Sequence, residues 1–469
     1  MEGALGAFLA IPEALVLGGI ATGTGRRICR RLLPDSSGLE QSAFGFPVGM
    51  ALLSLLTTAL LFARVPAAGL PWALGAALAG AALWARKDAA TVARELRGFA
   101  RGSPALAALV SASALLGVIG CLAPETGWDT GVYHFALSRQ WAEQGAAIVR
   151  KDVPHSFHPA YLESLHAAGF LLNGEALASL LNGSYYFAGL ALVRLWGIRV
   201  AGPGAGGLAA LAWMTSVTFV LRLDGGDTEV AQAVYLTVGL LSLLRLRDGG
   251  SPGWAVLAGG SLGFLAGLKY PSLFMIAAVA TAWGLIRLRD RAPFRVLLTD
   301  AAVIGGLALV VACPWYVRNK AETGHPLYPY GRPAAPAEAP VAEEPPPRSA
   351  VVAHLFKVLA MDGLALAALP ALLLAATSRD RWCAALPFLV APCMFKLLGF
   401  TDKSISNALR YTSPCWVPLF VFAGVGVRWA LDRSAAGGRL ALAALIAAAG
   451  AGQGVLALRN LPKLPVVLG

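Results

Sequence analysis

Hydrophobic residues run in long blocks along this chain, and the polar positions fall between the blocks instead of alternating with them. Blocks long enough to cross a bilayer core of about 30 Å lie near 4–22, 43–65, 67–85, 104–123, 175–199, 205–222, 228–246, 252–268, 271–288, 296–314, 351–377, 383–400, 409–430 and 438–458. They predict an all-α, polytopic integral membrane protein with about fourteen transmembrane helices. One long polar interruption breaks the first half, from Pro124 to Gly174. Inside it Tyr133, Leu137 and Trp141 share one helical stripe, and Tyr161, Leu162, Leu165, Ala168 and Leu172 share another. Both patterns are shorter than the roughly 20 residues a span requires, so they predict helices lying along the membrane interface. A second long interruption, 315–350, contains a stretch from Pro333 to Pro347 dominated by Pro, Ala and Glu, which is expected to be disordered.

Composition agrees with the pattern. With 57% hydrophobic and 14% charged residues and a mean hydropathy of +0.65, the chain is too poor in charge for a soluble globular enzyme. Its net charge of +12 does not point to nucleic acid, because no basic stretch is interleaved with aromatics. The charge reads instead as topology. Alternate loops carry Arg26, Arg27, Arg30 and Arg31, then Arg86, Lys87, Arg94, Arg97 and Arg101, and the series continues through Arg194, Arg245, Arg287, Arg379 and Arg428 with their neighbours. This is about 22 of the 38 basic residues, and that side is expected to be cytoplasmic. The first apolar block lacks the basic start of a cleavable signal and is expected to stay as an anchor in the inner (plasma) membrane. The six cysteines, scattered and without a CxxC, read as small core residues.

Candidate chemistry collects on the opposite, extracytoplasmic side. Asp129, in Gly-Trp-Asp-Thr-Gly-Val-Tyr-His, stands just beyond the block that ends at Ala123. An acid at the membrane rim is expensive and hence a functional candidate. The same side carries Arg222, Asp224, Asp227 and Glu229, then Lys269, then Trp315, Tyr316, Arg318 and Asn319, and finally Arg410 and Tyr411. A base beside several cations suits displacement of a lipid-phosphate leaving group, which needs no protonation but does need its charge steadied. Asp129 would be the base, and Arg318, Arg410, Lys269 and Arg222 the phosphate partners. Plainer roles compete. Asp129 could cap the helix that starts near Val132, Asp227 and Glu229 could be ordinary acids at a helix N-terminus, and Arg318 and Arg410 could reach out to lipid. His134, His155 and His158 with Asp129 invite a divalent metal, but their spacing matches no strong motif, and no cofactor is expected.

The order of these motifs resembles the GT-C superfamily of membrane glycosyltransferases, in particular the bacterial enzymes similar to protein mannosyltransferases and to aminoarabinose transferases. It runs Trp128-Asp129 with Tyr133-His134, two short helices, an acidic short loop, Pro314-Trp315-Tyr316-x-Arg318-Asn319 with Thr323-Gly324 and Pro326, and a late Arg410-Tyr411. The likeness covers roughly 104–430, with a catalytic loop at 124–174. It leaves 1–103 as additional N-terminal helices and 431–469 as a C-terminal helix and tail. It implies transfer of a sugar from a polyprenyl-phosphate carrier to an acceptor of unknown identity on the extracytoplasmic side, commonly with inversion. By position Asp129 matches the family's first-loop catalytic aspartate, and Arg318 and Arg410 its basic residues near the carrier phosphate. Tyr133, His134, Asp227, Lys269 and Tyr411 complete the expected donor site. The alternatives are a transporter or flippase for a lipid-linked saccharide, and an inactive scaffold for envelope assembly. A transporter would show paired charges at mid-membrane and two related halves, and neither is visible.

Overall fold

The computed structural model describes residues 2–330, 380–398 and 410–468, and every regular element among them is helical. α1 (Glu2–Leu32) and α2 (Gly38–Phe62) form a pair whose turn is closed by a reciprocal capping box of Ser37 and Glu40. They approach through glycines: a Cβ built on Gly25 would stand 1.9 Å from the Gly45 carbonyl oxygen. Small residues let helix backbones meet this closely where lipid supplies no hydrophobic drive. α3 (Leu70–Gly102) leans on α1, and α4 (Pro104–Leu122) delivers the chain to the polar interruption.

Two short helices follow, α5 (Phe135–Gln144) and α6 (Tyr161–Leu172). α5 buries its expected stripe of Leu137 and Trp141. α6 departs from expectation, because Tyr161 to Gly169 are all buried and the helix is wedged against α2 and α5. Two close approaches allow this. A Cβ on Gly169 would meet the Ala178 backbone at 2.6 Å, and one on Gly267 would lie 2.2 Å from the Tyr161 ring.

α7 (Glu175–Trp213) leaves helical geometry at Ala201 and Gly202, the latter at φ 82°. Beyond the break its second limb folds back on the first, so that Gly197 faces Gly206 and Ala209, and Gly189 faces Trp213. The blocks 175–199 and 205–222 are thus one hairpin, with the second limb ending early and a short α8 (Val217–Val220) behind it. Next come α9 (Glu229–Arg247), buried over most of its length, and α10 (Gly253–Ala266), too short to span. α11 (Pro271–Arg289) leads to α12 (Phe294–Asp300), which continues through a π-helical turn into α13 (Gly306–Thr323). α14 (Leu386–Leu398), α15 (Val417–Arg433), α16 (Ala435–Asn460) and α17 (Leu464–Leu468) complete the described chain.

Nine described helices are long and apolar enough to cross a membrane, fewer than the fourteen blocks. Block 252–268 makes a shorter helix, and block 67–85 merges into the amphipathic α3. Block 351–377 and the stretch Pro333 to Pro347 lie outside the described residues.

α9 also sets the polarity of the bundle. Glu229 opens it and Arg245 and Arg247 close it, roughly 25 Å apart at the helical rise. At the arginine end Arg245 pairs with Glu40 at 3.1 Å, Arg247 with Asp290 at 2.6 Å, and Arg199 with Asp248 at 2.6 Å. The predicted site lies at the other end.

Candidate active site

Asp129 precedes a π-helical turn, Thr130–His134, that runs into α5. It makes no capping hydrogen bond there, so its carboxylate is free for other work. Oδ2 accepts from Arg410 Nη1 at 2.5 Å. Arg410 opens the helical run Arg410–Arg433 and uses two further N–H donors on the acidic segment before α9: Nη2 reaches Asp227 Oδ1 at 2.8 Å, and Nε reaches Glu229 Oε1 at 2.6 Å. Arg222 Nε approaches the remaining oxygens, 3.4 Å from Asp227 Oδ2 and 3.3 Å from Glu229 Oε2. Asp227 and Glu229 are therefore not simply acids favoured by a helix dipole. Thr130 Oγ1, accepting from Gly226 N–H at 3.1 Å, ties this segment to the turn beside Asp129. Burial pushes the Asp129 carboxyl up, but Arg410 and then Lys269 outweigh it and hold the group below its ordinary value.

Lys269, in the connection between α10 and α11, is only 3% exposed. Its ammonium donates to the Tyr133 hydroxyl at 3.1 Å and lies 5.1 Å from the centre of the Tyr411 ring and 5.6 Å from that of Tyr133. Among the described residues no carboxylate forms an ion pair with it. The immediate cluster thus sets three carboxylates (Asp129, Asp227, Glu229) against three cations (Arg222, Arg410, Lys269), with the carboxylates paired to the two arginines. Burial raises the Tyr133 phenol well above its ordinary range, so it stays protonated. The His155 ring stacks on Tyr133 at 4.3 Å. Burial and then Lys269 lower its imidazole, which keeps it neutral.

His134 turns away from this group. Its Nδ1 sits 2.6 Å from Glu163 Oε1, both side chains buried, and its Nε2 has no hydrogen-bond partner among the described residues. Arg318 lies elsewhere too: Nη2 donates to Ser156 O at 2.7 Å and to Asn319 Oδ1 at 3.1 Å, and the guanidinium rests over Trp315 at 4.7 Å. The structure therefore gathers Asp129, Tyr133, Asp227, Lys269, Arg410 and Tyr411 into one cluster, pairs His134 with Glu163 beside the Tyr133 ring, and sets Arg318 apart.

Among the described residues no three His, Cys, Asp or Glu side chains converge as a metal set. Asp129 is turned to Arg410, and His134 to Glu163.

Two members were not singled out as site residues from sequence. Glu229 stands in sequence beside Asp224 and Asp227 as a helix-start acid or a site residue alike, with Asp227 the preferred candidate, and its place two residues after Asp227 is the signal. Glu163 lies on a helix expected at the interface, where an acid is unremarkable.

No protein-family model and no curated protein matches the chain. Solved structures do. The arrangement of helices is similar to that of a solved GT-C membrane glycosyltransferase. ArnT from Cupriavidus metallidurans, an aminoarabinose transferase, superposes in the apo state with a TM-score of 0.54 at 17% identity, covering 71% of this chain and 60% of that one. The same protein bound to undecaprenyl phosphate gives a TM-score of 0.54 at 19% identity, covering 72% and 62%. An oligosaccharyltransferase from Archaeoglobus fulgidus also aligns, with a TM-score of 0.39 at 16% identity over 76% of this chain and 56% of that one. The match to ArnT thus spans about three fifths of that protein's length.

Proposed function

We propose that this chain is a glycosyltransferase that takes its sugar from a polyprenyl-phosphate carrier on the extracytoplasmic face of the inner membrane. The observation that carries this reading is Lys269, a buried ammonium without a carboxylate partner among the described residues, walled by Tyr133 and Tyr411 beside the Asp129–Arg410 pair. Burying a cation without a directly paired anion is costly, and a phosphate would complete it. The fold supports the reading, since a protein of the same architecture has been crystallised with undecaprenyl phosphate.

In the proposed reaction the acceptor hydroxyl attacks the anomeric carbon of the donor sugar. The bond from that carbon to the phosphate oxygen breaks, its electron pair leaves with polyprenyl phosphate, and the hydroxyl proton passes to Asp129. Lys269 and Arg410 steady the charge that collects on the departing phosphate. Attack from the face opposite the phosphate inverts the anomeric centre.

The test is a panel of polyprenyl-phosphate sugars offered to detergent-purified protein, wild type beside Asp129→Asn and Lys269→Met. Wild type consumes one donor. Asp129→Asn binds it and turns it over at least about 100-fold more slowly, the scale of a lost general base. Lys269→Met loses donor affinity by roughly tenfold or more, the scale of a charged hydrogen bond. If wild type binds a donor and consumes none, even with acceptor-rich membrane extract, a transporter or a scaffold replaces the enzyme.

A further inference from the structure

Residues 221–228, between α8 and α9, carry Asp227 and lead into Glu229, the two carboxylates that orient Arg410 with Asp129. The segment is irregular, so its place must come from what it packs against. Part of that support is a slot in α4 and α7. A Cβ built on Gly120 would stand 2.5 Å from Asp224 Oδ2, and one on Gly183 would stand 2.4 Å from Leu223 O.

The rest comes from the far end of the chain. Asp224, its side chain fully buried, accepts from Lys463 Nζ at 2.9 Å and lies 3.3 Å from Arg459 Nη2. Lys463 closes the turn after α16, 239 positions away in sequence. A carboxylate sealed in this slot without cations would be strongly destabilising, so the segment is seated only when the chain's end is in place. α16 is itself fixed from both sides, since Asn460 Nδ2 donates to Leu116 O at 3.0 Å and Gln453 Nε2 to Met214 O at 3.2 Å.

We propose that Asp224, Arg459 and Lys463 form a clasp through which the C-terminal helix positions Asp227 and Glu229, and through them Arg410, for the carrier phosphate. The proposal rests on the donor reading above. Arg459 and Lys463 act as positioning residues, since their contacts are with Asp224 and, for Arg459, also the Leu221 carbonyl, and not with Asp129, Lys269 or Arg410.

Lys463→Met is the mild variant, because it leaves Arg459 on Asp224. The full chain in detergent is titrated with undecaprenyl phosphate as wild type, Lys463→Met, Lys463→Arg, Asp227→Asn and the Lys463→Met/Asp227→Asn pair, and amide hydrogen exchange is followed in parallel. Lys463→Met weakens binding about tenfold, Lys463→Arg stays within about threefold of wild type, and Lys463→Met costs little more once Asp227 is gone, as expected for coupled residues. Exchange quickens across 221–232 in Lys463→Met and stays unchanged at the far end of α9. Unchanged affinity in Lys463→Met, additive losses in the double variant, or a uniform rise in exchange would overturn the clasp. If wild type does not bind undecaprenyl phosphate, the donor reading falls. The exchange pattern then still decides the clasp: a local rise supports it and no rise refutes it.

Discussion

At the scale of single residues, the site is a contest over Arg410. Three carboxylates share its guanidinium, and the share held by Asp129 depresses that group below its ordinary value of 3.8 despite burial. A carboxyl so depressed adds stability above its unfolded value and loses that contribution as pH falls through the folded value. From about pH 5 to pH 8 Asp129 is fully ionised. Donor kcat/KM is therefore expected to be flat over that range on its account, and a pH–rate profile that instead falls through an acid limb near pH 6 to 7 would assign the base to another group. The low basicity suits the proposed reaction. The phosphate departs without being protonated, so the proton need pass only late, once the hydroxyl has begun to lose electron density to the sugar. Much of this was legible in the sequence, because Asp129, Asp227, Lys269 and Arg410 are charges at the ends of apolar blocks, where a charge without a purpose is costly. Their pairing was not. Arg318 and Arg410 look alike in sequence, each with a tyrosine within two residues near a helix end, and only packing sets one over Trp315 and the other against three acids.

At the scale of elements, close backbone approach decides what hydrophobic pattern leaves open. The stripe Tyr161, Leu162, Leu165 describes α6 as half-buried, yet its other face is buried too, because glycines across from it leave room. Gly267 is the sharpest case: its carbonyl accepts from Tyr161 N–H at 2.9 Å, while Tyr161 stacks on Phe264 at 4.8 Å directly above it. Gly267→Ala is expected to push the ring out of that stack and to cost about 1 to 3 kcal/mol, the usual range for overpacking, read as a lower unfolding temperature in detergent. A variant as stable as wild type would show that α6 can lift away, returning it to the interfacial position its pattern suggests. The hairpin in α7 teaches the same lesson. Its two blocks were visible in sequence, but not that the second limb stops at Trp213.

At the scale of the whole molecule, the arginine-rich end and the acidic cluster sit at opposite ends of α9. The excess of arginine leads us to propose that the first is cytoplasmic and the cluster outside. Cysteine labelling can read this directly. In a background with the native cysteines replaced, Trp128→Cys, at a position 67% exposed, is expected to react with a membrane-impermeant maleimide in intact cells. Arg97→Cys is expected to react only after permeabilisation. The reverse pattern would put the site on the cytoplasmic side and end the envelope reading.

The buried Lys269 ammonium, with no carboxylate in an ion pair with it among the described residues, has a further consequence under the proposed reaction. A sugar-linked carrier is a phosphodiester with one charge, whereas the spent carrier is a monoester with nearly two at neutral pH. Whatever holds the first will grip the second harder. Such an enzyme is a snare for its own product. Its pace would be governed by how readily the emptied lipid escapes into the bilayer, with one rapid turnover per molecule followed by a slower steady rate.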